Sequence, residues 1–245
     1  MIDLHIHFLP GVDDGADSLE ESIGMCRMAA GAGCLDLVAT PHQGRKWGDL
    51  DPAELRRLLA EVQVAVGSSP RLHLGAEVRV GGGFLEQLEL PNRGGLLALA
   101  DTDFLLVEFS QSATQQEVEN VVHEMVILGF RPIVAHPEFI PVLAQDLGLM
   151  RRLIDLGAQM QVTAMSVTGD FGRPTQRIVR GIIEAGCAHF VASDAHSLDW
   201  RPPGLRAAFD SIERTWGAEL AERLAVLNPR AVLDSGSPGS TEIAP

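Results

Sequence analysis

The sequence predicts an α/β fold, specifically a distorted (β/α)7 TIM-like barrel. Three observations carry that prediction. Short apolar runs of strand length alternate with helical patterns along the whole of a 245-residue chain, which is the signature of a parallel sheet wound on itself. Metal-binding side-chain types stand at the carboxyl end of nearly every one of those runs, the pole where barrels of this type build active sites. No nucleotide fingerprint supports the competing open doubly wound sheet. There is no Gly-x-x-x-x-Gly-Lys-Ser/Thr, and the glycines at 31, 33 and 81–83 do not form Gly-x-Gly-x-x-Gly.

The elements follow in order. Residues 2–7 open as a strand. Ser18 with Glu21 makes a capping box, and Leu19, Ile23, Cys26 and Ala30 fall near helical spacing before Gly31 and Gly33 end the helix. A strand is expected over 35–40, and a helix over 52–66 with Pro52 in its first turn. Strands follow at 72–78 and 104–109. A helix over 115–128 is closed by Gly129, then comes a strand at 132–136 and a helix ending near Gly157. The last units are a strand at 159–163, a helix over 175–185 ended by Gly186, a strand at 189–193, and helix to about residue 233. Residues 1–233 thus read as one domain. The segment 234–245, rich in Ser, Gly and Pro, reads as a flexible C-terminal tail.

Composition narrows the function. Hydrophobic residues are 46% and charged residues 21%, ordinary for a globular protein. The net charge of −14 argues against a nucleic-acid backbone binder, which needs a basic face. No run approaches the roughly 20 apolar residues of a membrane helix, so direct membrane insertion is not expected. The opening Met-Ile-Asp-Leu-His lacks a leader pattern, and the expected location is cytoplasmic. Cys26, Cys34 and Cys187 include no Cys-x-x-Cys pair. The residues six beyond them are Ala32, Thr40 and Ser193 rather than arginine, which removes cysteine-phosphatase chemistry. They read as small buried hydrophobes.

The strand ends are the informative positions. They read His5-Ile6-His7, Thr40-Pro41-His42, Gly75-Ala76-Glu77, Val107-Glu108, Ala135-His136-Pro137-Glu138 and Ser193-Asp194-Ala195-His196. Residues i and i+2 share a strand face, so His5 pairs with His7 and Asp194 with His196. Imidazole and carboxylate together suit a borderline divalent cation. A carboxylate in an apolar strand, such as Glu77 or Glu108, costs several kcal/mol unless paired or metal-bound. Asp13 and Asp14 lie in the loop after Pro10-Gly11. Taken alone both read as solvated turn residues, and it is mainly the resemblance given next that makes Asp14 a ligand. His73, His123 and His189 fall at strand starts or on a helix and read as structural or surface residues.

These residues resemble the PHP (polymerase and histidinol phosphatase) superfamily. Within it they are similar to the manganese-dependent bacterial protein-tyrosine phosphatases of the CpsB/CapC/YwqE type that serve capsule and exopolysaccharide synthesis. The likeness runs from Met-Ile-Asp-Leu-His-Ile-His-Phe-Leu-Pro-Gly-Val-Asp-Asp-Gly-Ala to Ala192-Ser-Asp-Ala-His-Ser-Leu-Asp-Trp-Arg-Pro-Pro203 and Asn228-Pro-Arg-Ala-Val. It implies a barrel of the PHP type and three divalent metal ions, manganese by expectation, with zinc or iron also suited to the donors. His5, His7, Glu77 and Asp194 would hold the first ion. Glu77 would bridge to a second, completed by Glu108 and His136. Asp14, His42 and His196 would hold the third. A metal-bridging hydroxide would attack the phosphoester, and Arg201 matches the phosphate-binding arginine.

The implied substrate is a phosphotyrosine protein, a bacterial tyrosine kinase of polysaccharide export. One departure stands out. Relatives usually read His-Pro-Glu-Arg-Tyr where this chain reads His136-Pro-Glu-Phe139-Ile140, so a second arginine that faces the substrate is missing. Arg45 is the residue placed to compensate, while Phe139 and Trp47 could instead shape a more apolar pocket. That departure keeps two alternatives open: a phosphatase of small phosphorylated metabolites such as histidinol phosphate, and a largely non-catalytic metal-binding partner of the kinase. An amidohydrolase with a carbamylated bridging lysine is disfavoured, because Lys46 is the only lysine and lies in a loop.

Overall fold

The structure, a computed structural model, describes residues 1–44, 47 and 51–236. Among the described residues nine strands form, β1 (Ile2–Ile6), β2 (Asp36–Ala39), β3 (His42–Gln43), β4 (Arg71–Leu74), β5 (Glu77–Arg79), β6 (Phe104–Glu108), β7 (Arg131–Ala135), β8 (Gln159–Thr163) and β9 (Phe190–Ala192). All pair in parallel, in the orders β1-β2-β4 and β3-β5-β6-β7-β8-β9. Strands β2 and β3 are two halves of one stave, as are β4 and β5. Pro41 interrupts the first of these, since it has no N–H to donate to the ladder. Backbone bonds carry the pairing across the break: Gly75 N donates to Ala39 O at 2.8 Å and Glu77 N to Pro41 O at 3.1 Å. The ring closes where Ile6 bridges Ala195, with Asp194 N donating to His5 O at 2.8 Å and His7 N to Ala195 O at 2.9 Å. The seven-stave barrel expected from the sequence is therefore observed.

Several helices begin at a side-chain cap. Ser18 caps Leu19–Gly31 by accepting from Glu21 N, while Glu21 reaches back to Asp17 N rather than to Ser18. Asp51, Thr114 and Asp146 cap Pro52–Val66, Gln115–Ile127 and Leu147–Leu156 in the same way. Helical spacing brings Leu55 and Val62, or Val118, Val122 and Met125, onto the barrel wall, where they join an outer apolar layer with Leu105, Val107, Val134 and Val162 of the strands. The short helix Phe84–Leu88 was not expected from the sequence. The final helix is Asn228–Asp234, and residues 237–245 lie outside the described residues, as does Arg45. No helix among the described residues is long and apolar enough to cross a membrane.

The barrel interior is layered. In the middle, Ile2, Leu4, Val38, Phe104, Leu106, Ile133, Ala135 and Phe190 form an apolar plug capped by Leu99 and Val232. The amino-terminal pole holds buried Asp36. It accepts from Arg71 Nε at 2.9 Å, from His73 Nε2 at 3.0 Å and from Arg230 Nη2 at 2.6 Å. Burial works against its ionised form, but these three donors outweigh burial and hold the carboxyl below its ordinary range.

A bulge in β1 then turns the histidines inward. Between Asp3 and Ile6 the strand advances three residues while β2 advances two, Leu37 to Ala39. Leu4 accordingly joins the inner cluster and Ile6 the outer one, and His5 and His7 emerge inside the pole above the plug. Asp3 fixes the bulge by accepting from Ser193 N at 3.0 Å and His5 N at 3.4 Å.

Removing the Asp36 carboxylate should destabilise the fold. The expected loss for Asp36→Ala is about 2 kcal/mol, below the usual cost of breaking a buried pair because the freed arginines reach solvent. A depressed carboxyl pKa gives stability that is present above the unfolded value and lost as pH falls through the folded one. The gap between wild type and variant, read from denaturant midpoints, should therefore be full at pH 7 and shrink on acidification below about pH 4. Equal midpoints at pH 7 would contradict the role given to Asp36.

Candidate metal centre

Seven elements deliver side chains to the carboxyl pole. The chain leaving β1 folds back over its own strand end: Ala16 N donates to His7 O at 3.1 Å and Gly11 N to Ala16 O at 2.8 Å. Only glycine fits at position 15, where a Cβ would stand 2.1 Å from His7 O. That close return presents Asp13 and Asp14 to the site. Two other donors sit on backbone in the left-handed region, His136 at φ 34° after β7 and Asp194 at φ 52° after β9. Such conformations cost of order 1–3 kcal/mol in a non-glycine residue and persist only where surrounding contacts hold them.

The tightest group is His5, His7, Glu77 and Asp194. His5 Nε2 lies 3.1 Å from His7 Nε2, 3.5 Å from Glu77 Oε2 and 3.3 Å from Asp194 Oδ1. His7 Nε2 lies 3.6 Å from each of the same two oxygens. Four donors on a tetrahedron around a divalent ion at about 2.1 Å would be spaced about 3.4 Å apart. The far sides of both rings are fixed. His5 Nδ1 donates to Gln161 Oε1 at 2.8 Å, and His7 Nδ1 to Asp13 Oδ2 at 2.7 Å. Each Nε2 lone pair thus faces inward, and two lone pairs at 3.1 Å with two carboxylate oxygens beside them require protons or a cation between them. Glu77 Oε2 is buried and accepts no aligned hydrogen bond, although His42 Nδ1 is 2.8 Å away. The donor set fits a divalent metal.

Around this group lie the remaining predicted residues. His136 Nε2 meets Glu77 Oε1 at 2.6 Å. Glu108 forms an ion pair with Arg79, and its donor atoms fall within 4.8 Å of those of His42 and Glu77. His7, Asp14, His42 and His196 make a further group at that spacing, with His42 Nε2 at 3.2 Å and His196 Nε2 at 3.5 Å from Asp14 Oδ1. All nine residues expected as ligands therefore lie at one pole, where Glu108 groups with His42 and Glu77, and His136 meets Glu77. Arg201 pairs with Asp194, and its Nε is buried without a partner. A cavity of about 360 Å³ opens onto Glu77, Glu108, His136, Asp194, His196 and Arg201. Trp47 stacks on His42 at 5.8 Å, beside the cavity.

Electrostatics follow from this crowding. Burial disfavours charge on His5, but Asp194 and Glu77 override it and raise its pKa to about 9. Burial likewise opposes charge on His42 and His136, and Glu77 raises both to about 9. Burial also works against an ionised Glu77, yet His5, His136 and His42 hold it well below its ordinary range. His196 goes the other way, to about 3, because burial and the neighbouring His7 both disfavour its charged form.

Three residues that shape the site were not read from the sequence. Asp13 is not a solvated turn residue: its side chain is buried, it holds His7, and it accepts from His42 N at 2.9 Å. Burial opposes its charge, but His7 pulls its pKa down to about 2. Gln161 and Arg79 are the others. Gln161 carried a signal, an amide between apolar Met160 and Val162 inside a strand, on the same face as Gln159 and Thr163. His73, His123 and His189 stand apart from the site. His73 is on Asp36, His123 is on an exposed helix face, and the ring of His189 accepts from Met160 N. The cysteines are buried, and burial pushes Cys26 and Cys34 up to about 12.

Comparison with known proteins agrees with this geometry. The family described as Capsular polysaccharide synthesis, CpsB/CapC, matches residues 1–234. The tyrosine-protein phosphatase YwqE of Bacillus subtilis (strain 168) is 32% identical over 223 residues, 90% of this chain and 87% of that protein. The crystal structures of YwqE from Bacillus subtilis and CpsB from Streptococcus pneumoniae, described as unique metal-dependent tyrosine phosphatases, include a chain that superposes with a TM-score of 0.88 at 30% identity, covering 100% of this chain and 99% of that one. An organophosphorus hydrolase from Deinococcus radiodurans shares the barrel alone, with a TM-score of 0.58 at 15% identity over 95% of this chain and 92% of that one. The match across nearly the whole length, with the donor cage at its centre, means that this chain belongs to the CpsB/CapC family.

Proposed function

We propose that this chain is a metal-dependent phosphatase that hydrolyses phosphotyrosine in proteins. The observation that carries the reading is the cage of His5, His7, Glu77 and Asp194, in which the two imidazole Nε2 atoms lie 3.1 Å apart and 3.3–3.6 Å from the two carboxylates, spacings that suit a shared divalent ion. We assign three cations, manganese by preference: one on this cage, one on Glu77, Glu108 and His136, and one on Asp14, His42 and His196. When bound, divalent cations supply a water of lowered pKa and neutralise phosphoryl oxygens.

The chain's own residues do the rest. Asp13 and Gln161 hold the imidazoles in the tautomer whose Nε2 faces the site. Arg201 lines the cavity and offers its guanidinium to a phosphoryl oxygen, with the planar donor geometry that suits phosphate. Phe109, Phe139 and Ile140 line the cavity with apolar surface that limits water around the ester. A phenolate leaving group, with a pKa near 10, departs with less protonation than an alkoxide needs. The partner that fits is a bacterial tyrosine kinase of capsule or exopolysaccharide synthesis, met in the cytoplasm. Residues 1–233 form the single catalytic unit.

The direct test is phosphate release from a phosphotyrosine peptide with and without added manganese. Metal-stimulated turnover is expected. An inert protein that nonetheless binds metal, or turnover confined to small phosphorylated metabolites, would overturn the assignment.

Two further outcomes follow from the site's charge. His5, His42 and His136 are raised to about 9, so at neutral pH they carry protons that a cation must displace. Metal binding should release protons, and affinity should climb with pH up to about 9; calorimetry in buffers of different ionisation enthalpy reads both. Asp13→Asn should weaken metal binding by roughly 10–100-fold by removing the acceptor that orients His7. An unchanged affinity in that variant would remove Asp13 from the site.

A further inference from the structure

We propose that Phe139 and Phe171 form an aryl-binding wall, so that this chain selects aromatic phosphate monoesters by ring packing. The inference rests on the phosphoesterase reading above and names how the cleft chooses its leaving group. Both rings line the cleft that contains the candidate ligands and Arg201. They meet edge to face, with centroids 5.4 Å apart and planes at 80°. The Phe139 centroid is 6.0 Å from the ring of His136, and the Phe171 centroid is 5.9 Å from the guanidinium carbon of Arg201. The pair therefore spans from one candidate metal ligand to the residue assigned to hold phosphate. A group esterified to a phosphoryl held by Arg201 begins within reach of Phe171.

Local structure makes this wall firm. Phe139 ends a single turn, Pro137–Phe139, in which its N–H donates to His136 O at 3.0 Å. Phe171 lies between two glycines with positive φ, Gly169 at 94° and Gly172 at 90°. Gln176 ties down the chain before it, donating to Val167 O and Thr168 O at 3.1 Å each. Both rings are half-buried, so each keeps a surface towards the cleft. An edge-to-face pair accepts a third ring in offset or edge-to-face contact, whereas an alkyl chain as short as that of serine has no face to offer.

The test measures binding, not turnover. Dissociation constants of phenylphosphonate, cyclohexylphosphonate and methylphosphonate are measured by calorimetry on the manganese-loaded protein. Wild type should bind phenylphosphonate roughly tenfold more tightly than methylphosphonate, and more tightly than cyclohexylphosphonate. The phenyl-to-methyl margin should fall to about twofold in Phe171→Ala and in Phe139→Ala, with Phe171→Leu between, since leucine keeps bulk but loses the ring. A wild-type margin of about twofold or less, equal binding of the phenyl and cyclohexyl ligands, or a full margin in both alanine variants would each overturn the wall. The two wild-type comparisons decide the matter even where a variant does not fold. Should none of the three phosphonates bind, the phosphoesterase reading itself falls, an outcome distinct from loss of selectivity.

Discussion

Glu77 is the constraint on which the site depends. A carboxylate buried at the end of a barrel stave is tolerable only if positive charge surrounds it. Here three imidazoles do so, from His5, His42 and His136, each carried by a different stave. Without a cation those rings hold protons, as their raised pKa values require. The protein thus folds around a charge balance that protons or divalent ions can each satisfy. Exchange between the two would make the pole a metal site rather than a salt-bridged core. The opposite pole repeats the motif with Asp36, but there the partners are two arginines and a histidine and the balance is permanent. An arginine does not give up its proton in this pH range, so that pole is stabilising and chemically silent.

Several backbone irregularities lie at the same end, while Asn92, Arg93, Ala100 and Asp101, also in the left-handed region, precede β6. The bulge in β1, the break at Pro41, and the left-handed residues His136 and Asp194 all lie at or beside the site, while the ladders from β6 to β8 run in unbroken register. The bulge turns His5 and His7 inward, where regular alternation after Leu4 would have sent them to the other face. The cost of these irregularities is carried by the apolar plug and the outer helical layer, which bury large side chains on both sides of the sheet. The fold therefore separates its tasks: a regular barrel supplies stability, and its distorted rim supplies geometry.

Under the proposed function the cleft would combine two kinds of recognition: Arg201 would address the phosphoryl group, which every phosphate monoester shares, and the phenyl pair of Phe139 and Phe171 what is attached to it.

Much of this was legible from the sequence, for a physical reason. Strand length, period-two alternation and capping residues are local properties, so the staves, the long helices and their order could be read directly. Donor residues recur at the carboxyl ends of those staves, and a parallel barrel gathers all such ends on one rim. That is how His5, His7, His42, Glu77, Glu108, His136, Asp194 and His196 could be named together. Tertiary structure decided what depends on contacts between distant segments. Asp13 looked like a turn residue until the glycine at 15 let the loop close onto His7. Gln161 and Arg79 act only through partners far away in the chain. The bulge that turns His5 inward depends on Asp3 meeting Ser193, 190 residues later. Phe139 and Phe171 are 32 positions apart, and nothing in their own neighbourhoods says that they touch. Periodicity records which face a residue takes, but which residues share a cavity is set by how the staves close.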